Sequence, residues 1–420
     1  MKIAVVGTGI SGLLAAHLLS KDHTITVFEA ADYIGGHTHT VEVQKDGVTY
    51  AVDTGFIVYN DWTYPNFIKL LRRLNVAAQP SEMSFSVRCE TTGLEYNGTS
   101  LNALFAQRRN LFRPSFHRMI RDILRFGRES KELLRTGSDD TTLGAYLRTN
   151  RYSREFINQY IVPMGAAIWS ADPMQMLDFP ARYFVEFFTN HGMLSVNERP
   201  QWRTVAGGSS RYIEALTRPY ADRIRLQSPV RSITRHQDRV EIVWQPVGEA
   251  PRRDDFDQIV LATHSDQALA LLADPSEQER DILGAIPYQT NDTVLHTDAS
   301  LLPRRRLAWA SWNYHIPVQP RSRVGVTYYM NLLQRLQSPH HFCVTLNHIE
   351  GIDPAKVNRR ITYHHPVYTQ RGVAAQQRHA EISGVRRTHF CGAYWGFGFH
   401  EDGVKSALAV CRSFGKGLES

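Results

Sequence analysis

The chain has 420 residues, 42% of them hydrophobic and 21% charged, and carries a net charge of +7. That length allows two or three domains around a large core, and the balance is that of an ordinary soluble globular protein. No apolar run reaches the ~18 residues of a membrane span, and there is no repeat. The positive charge asks for an anionic partner without saying which, and no nucleic-acid motif accompanies it. The four cysteines (Cys89, Cys343, Cys391, Cys411) lack metal-site spacing, so a reduced cytoplasmic setting is expected. The eighteen histidines are scattered, and the pairs His340-His341 and His364-His365 have no third ligand at helical spacing; no metal is expected.

The first 29 residues carry a strand (Ile3-Ala4-Val5-Val6), a glycine turn, a helix through 13–19, a second strand (Thr24 to Phe28) and Glu29. The turn, Gly7-Thr8-Gly9-Ile10-Ser11-Gly12, is a G-x-G-x-x-G. Gly7 allows the tight bend, Gly9 lets backbone approach a pyrophosphate, and Gly12 lets the helix pack close to the sheet. Ile10 and Ser11 lie in the turn, and the N–H groups and dipole of the helix that follows favour phosphate. Glu29 stands where a carboxylate accepts both hydroxyls of an adenosine ribose, which argues against NADP. A signal peptide has a similar outline, but not the glycine spacing or the second strand. The dinucleotide site predicts a Rossmann-type α/β domain.

Ala30 follows, and then Gly35-Gly36-His37. A glycine pair just beyond the ribose carboxylate lets a second backbone segment lie on the cofactor, which NAD does not need. After a hairpin comes Asp53-Thr54-Gly55-Phe56, with Tyr59-Asn60 behind it. Residues 61–100 read as mixed strands, with alternation at Ser84 to Arg88, and residues 101–200 as helices. One helix, from Ser115 to Arg135, sets Arg118, Arg121, Arg125 and Arg128 in a stripe; Phe112, Phe116, Met119, Ile120 and Ile123 fall opposite. The stripe is either a solvated face or a basic surface held against anionic phospholipid, helped by Arg304-Arg305-Arg306. An aromatic stretch, 183–188, is either plain core or the lining of an acyl tunnel. Next come Val205-Ala206-Gly207-Gly208-Ser209, a hairpin from Pro229-Val230, and Asp257 to Ala262. Residues 286–380 read as mixed strands again. The chain closes with Phe390-Cys391-Gly392-Ala393-Tyr394, an aromatic glycine loop (396–400), and a helix through Gly403-Val404.

With these segments in this order, the chain resembles the superfamily of flavin-dependent amine oxidases, protoporphyrinogen oxidases and phytoene desaturases. Within it, the chain resembles a bacterial branch of NAD/FAD-binding proteins associated with cyclopropane-fatty-acid-synthase-like methyltransferases. The resemblance implies FAD. It implies a discontinuous FAD domain (1–60, 204–285, 385–420) and a mixed-sheet plus helical substrate domain (61–203, 286–384). It also implies cofactor contacts at the fingerprint, Glu29, Ala30, Gly35, Gly36, His37, Thr54, Gly55 and Phe56. Val230 would meet the adenine and Ala262 the pyrophosphate, while Gly403 and Val404 would offer N–H groups to the flavin pyrimidine. Many relatives have Gly-Asp where this chain has Gly392-Ala393, so the ribityl contact differs here. The lysine typical of amine oxidases is not evident where it would be sought, in Tyr288-Gln289-Thr290-Asn291.

The implied function is an FAD-dependent desaturase or dehydrogenase of a lipid acyl chain, methylated or cyclopropane. The alternatives are a flavin amine oxidase and a non-catalytic flavoprotein accessory to a lipid methyltransferase. A base near the flavin must take a proton, and His400 and Tyr59 are the candidates. Ser311-Trp312-Asn313-Tyr314 is a further candidate wall. Glu401 is expected to cap the closing helix. Cys391 reads as a buried thiol rather than a flavin attachment point. A cytoplasmic protein, peripheral on the inner membrane face, is expected.

Overall fold

The computed structural model describes residues 1–136, 140–319 and 322–419. Its organising element is a five-stranded sheet in the spatial order Ile224–Arg225, Thr24–Phe28, Lys2–Val6, Gln258–Leu261, Thr388–Phe390, with every pairing parallel. Parallel sheets are covered on both faces, and Ile3, Ala4 and Val5 are accordingly fully buried. The helix Ile10–Leu19 begins three residues earlier than its apolar run suggests. It is buried almost all round, because the closing helix His400–Arg412 and the helix Ser210–Thr217 sandwich it against the sheet. The opposite face is covered by an antiparallel meander, Val230–Arg235, Val240–Trp244 and Arg252–Phe256, whose Ile233, Trp244 and Phe256 pack on Phe28.

A second sheet has seven strands: Val357–Pro366, Tyr288–His296, Cys343–Leu346, Val326–Tyr329, Trp312–Ile316, Phe85–Cys89 and Leu94–Asn97. All its pairings are antiparallel except that between Trp312–Ile316 and Phe85–Cys89. The helices between Leu101 and Asn190 pack on it. Ser311 and Asn313 are buried in hydrogen bonds within this sheet, to Ser84, Ser86 and Ala310 among others.

Three expectations change. Residues 61–80 are not part of that sheet: Pro65–Arg73 is a helix whose Phe67, Leu70 and Leu71 join the core around the first helix, because its apolar residues recur at helical spacing. The basic helix is Pro114–Glu129, and Phe112 precedes it in the 3-10 turn Arg108–Phe112, 88% exposed rather than buried. Phe116 takes the inner place, against Tyr96 and Phe105. Arg125 leaves the stripe: it lies over the Tyr152 ring, pairs with Asp122 and Glu129, and donates to the Asn150 carbonyl. The aromatic helix Ala181–Asn190 is core, with Phe184, Phe187 and Phe188 buried among Phe126, Trp169 and Phe179. Its Tyr183 and Phe187 also touch Phe397 and Phe399 of the C-terminal loop. The four cysteines are buried and unbridged, and burial pushes the Cys391 thiol up.

Candidate cofactor and active site

The carboxyl ends of Lys2–Val6 and Gln258–Leu261 lie side by side where the strand order reverses, the place at which open α/β sheets bind ligands. Gly7 (φ +104°) and Gly12 are forced by contact: a Cβ would stand 2.8 Å from the Ala262 carbonyl oxygen at Gly7, and 2.1 Å from the Gly7 oxygen at Gly12. A Cβ on Gly9 would meet nothing within 4 Å. Gly9 is the N-cap of the first helix with no side chain on the helix N–H groups, so Ile10 and Ser11 begin a helix open to an anion. Glu29, just past the second strand, is held by the Thr8 N–H (2.9 Å), the Thr8 hydroxyl (2.5 Å) and the Ala31 N–H (2.9 Å); Ala30 beside it is exposed.

Gly36 (φ +59°) lies on the fingerprint, its would-be Cβ 3.2 Å from the Gly9 Cα. Behind it, Thr54 N–H donates to the His39 carbonyl and Phe56 N–H to that of His37. Gly55 is pressed to the same strand, its would-be Cβ 2.2 Å from the His37 oxygen. The two distant motifs meet at Asp53, whose buried carboxyl accepts from the Thr40 hydroxyl (2.6 Å), the Ser209 N–H (2.9 Å) and hydroxyl (2.8 Å), and the Gln334 amide (2.8 Å). Burial raises it to about 6 despite these donors.

At the mouth of this site stands a group of histidines and tyrosines. His37 is stacked on Tyr363 (4.9 Å between ring centres), 5.2 Å from His365 and 6.3 Å from His264. His264, two residues past Ala262, stacks on Tyr288 (4.4 Å). His365 Nδ1 meets the Asn291 amide at 3.0 Å, and the Tyr363 and Thr54 hydroxyls pair at 2.8 Å. Burial foremost, and the other histidines next, push His37 and His365 down to about 3 and His264 to about 4. All three rings are therefore neutral at physiological pH. The Nε2 of His37 is shut from solvent with no partner, a polar atom waiting for a ligand beside the glycine loop. That orphaned atom, the open space at Gly9 and the pinned Glu29 suit a dinucleotide.

The C-terminal segment completes the site. Gly392 N–H donates to the Ser406 hydroxyl (2.9 Å), with Ala393 next to it. Val230 is buried at the start of the meander. Val404 is fully buried, and the Gly403 N–H donates to the Phe399 carbonyl (3.2 Å), so in this structure it is occupied within the helix. What Gly403 provides is close approach, since a Cβ there would lie 2.7 Å from Ile10. His400 stacks on Phe56 (3.6 Å), and its Nε2 lies 2.6 Å from the Tyr212 hydroxyl; burial holds its pKa well below the usual range. Tyr59 is buried against Phe67 and Tyr64. Glu401 does not cap its own helix: it accepts from Asn66 N–H, Asn66 amide and Phe67 N–H, capping Pro65–Arg73 instead. Asp402 caps the closing helix through the Phe399 N–H (3.0 Å).

Sequence reasoning missed His264, Tyr363 and His365 as site residues, and weighed Tyr288 only as a place to seek a lysine. His264 had a signal, its position just beyond the strand that ends at Leu261. Tyr363 and His365 had none, because they reach the site through the pairing of Tyr288–His296 with Val357–Pro366.

The family model for flavin-containing amine oxidoreductases matches residues 10–297. The flavin-containing monoamine oxidase AofH of Mycobacterium tuberculosis is 28% identical over 247 residues, covering 56% of this chain and 51% of that protein. The chain thus spans about half the length of this curated relative. Among solved structures, cyclohexylamine oxidase from Brevibacterium oxydans is similar at a TM-score of 0.70 with 16% identity, over 99% of both chains. A fatty acid isomerase from P. acnes that produces CLA is similar at 0.68 with 17% identity, over 98% of both chains. At such identities the structures show the fold alone. With a family match over more than half its length, the chain belongs to the flavin-containing amine oxidoreductases and takes their cofactor, FAD.

Proposed function

We propose that this protein is an FAD-dependent oxidoreductase that desaturates or dehydrogenates a lipid acyl chain, methylated or cyclopropane. Gly7 to Gly12, Glu29, Gly35 to His37 and the start of the closing helix would hold the cofactor. Bound there, FAD supplies a two-electron acceptor for hydride leaving a substrate carbon. The observation that carries the reading is the strand crossing the mouth. Tyr288 and Asn291 present a phenol ring and an amide to His264 and His365, and Tyr288 to Asn291 contain no lysine. Neutral groups suit an uncharged acyl chain. For the base that takes the proton from the neighbouring carbon, His264 joins the earlier candidates: His400, whose Nε2 lies beside the Tyr212 hydroxyl, and Tyr59, set deeper; His365 Nδ1 already accepts from the Asn291 amide. Fold likeness to a fatty acid isomerase agrees with this substrate class. Amine oxidation is the second reading, favoured by the likeness to AofH and cyclohexylamine oxidase.

The test is an anaerobic visible spectrum of the FAD-loaded protein with methylated or cyclopropane phospholipid, and with amines. Bleaching of the oxidised flavin band by lipid but not by amines is expected. Bleaching by amines, with peroxide on admitting air, would replace this reading with the second. A flavin that stays oxidised with both would overturn catalysis on either class and leave the accessory role.

A further inference from the structure

Among the exposed large apolar side chains, five stand on neighbouring pieces of the chain. Phe112 is 88% and Leu101 77% exposed, and Leu111, Leu124 and Leu307 are each about half exposed. Four packed pieces carry them: the helix Leu101–Leu104, the turn Arg108–Phe112, the helix Pro114–Glu129 and the turn Arg306–Ala308. The last turn packs on the first helix. The Arg108 guanidinium ties its turn to that helix, donating to Asn102 and to the Phe105 carbonyl. His117 Nε2 lies 2.8 Å from the Leu111 carbonyl, so the tip is braced from behind. Phe112 is thus held outward on a supported turn while Phe116 fills the core place behind it.

The stretch of sequence that carries this tip has charge of one sign. Between Glu95 and Asp122 there are five arginines (108, 109, 113, 118, 121) and no acidic residue. Glu95 and Asp122 themselves are buried. Glu95 accepts the N–H groups of Arg304 and Arg305, fixing a further exposed run of three arginines beside the tip. On the long helix, Leu124 lies on the exposed face with Arg121 and Arg128. An apolar tip ringed by cations, with no exposed anion between Glu95 and Asp122, is the chemistry of an interfacial membrane anchor. Nucleic acid would use the cations and leave the leucines unused. No helix among the described residues is long and apolar enough to span a bilayer.

We propose that this face docks on an anionic phospholipid surface, with Leu111, Phe112, Leu101 and Leu307 entering the interface and the arginines on the headgroups. The surface stands whether the substrate proves to be a lipid or an amine. The test is co-sedimentation of the FAD-loaded full chain with vesicles of phosphatidylcholine alone, or mixed with phosphatidylglycerol, at low and high salt. Binding to the anionic vesicles, weakened by salt, is expected. Phe112→Ser should lower it by about tenfold, and Arg118→Gln with Arg121→Gln by about fivefold for each charge removed. These side chains are exposed, so both variants should keep the wild-type flavin spectrum and melting temperature, which separates lost docking from lost folding. No partition into anionic vesicles, or partition unaffected by Phe112→Ser, would overturn the proposal. Tight binding of duplex DNA with no vesicle binding would assign the face to nucleic acid instead.

Discussion

At the scale of single residues, the fingerprint glycines do separate jobs, and the structure tells them apart. Gly12 has a carbonyl in the way of any side chain, so its replacement disturbs the fold itself. Gly9 has open space and ordinary dihedrals (φ −63°, ψ 170°). Gly9→Ala should therefore cost the FAD-free protein at most about 1 kcal/mol, the penalty of a poorer N-cap, and shift its melting by no more than about 2 °C. FAD affinity should fall by about tenfold or more, because the methyl enters space meant for the pyrophosphate. Titration of stripped protein with FAD, beside a melting curve, reads both; unchanged affinity would mean that the pyrophosphate does not lie there. The turn at Gly7 and the close packing at Gly12 were legible because they are local: a strand, a turn and a helix within one βαβ unit announce themselves by spacing. Thr8 was not legible. It occupies a variable place in the motif, yet its N–H and hydroxyl hold Glu29, and only the folded turn brings the two together.

At the scale of elements, the closing helix works as a clamp. Glu401 was expected to serve its own N-terminus, since an acidic residue in a first turn usually does. That place is taken by Asp402, which leaves Glu401 to cap the helix Pro65–Arg73, far away in sequence. Periodicity identifies a helix but not its neighbour, so sequence could not assign this bond. Glu401→Ala should cost about 2 kcal/mol, combining a lost cap with buried N–H groups left without acceptors. Glu401→Gln, which keeps one accepting oxygen, should recover about half. Urea unfolding measures both, and an alanine variant as stable as wild type would show that the two helices do not depend on this contact. The same limit explains Phe112. Apolar spacing placed it with Phe116, but the helix begins only at Pro114.

At the scale of the whole molecule, the division into a parallel sheet and a separate mixed sheet was legible from motif order, whereas the histidine-lined mouth depends on strand register and was not. Buried imidazoles, some at that mouth and others elsewhere in the fold, together with two buried carboxyls, give the protein a stability that depends on pH. Burial pushes His37 and His365 down to about 3, and His191, His264, His296 and His389 to about 4. A histidine so lowered supports the fold above its unfolded value of 6.5, and that support is lost as pH falls toward the folded value. Asp53 and Asp402 act in the opposite sense. Raised from 3.8 to about 6, they favour the fold below the lower value and lose that effect as pH climbs through the higher. His400, held well below the usual range, joins these six histidines, and Glu401, raised by burial, joins the two carboxyls; the histidines outnumber the carboxyls across this window, so the unfolded chain binds more protons than the folded one there. Stability should therefore fall as pH is lowered from about 6.5 to about 4. Melting of the FAD-free protein across that range measures it. A melting temperature that holds or rises on acidification would mean that the carboxyls prevail, and that the buried imidazoles take up protons without unfolding.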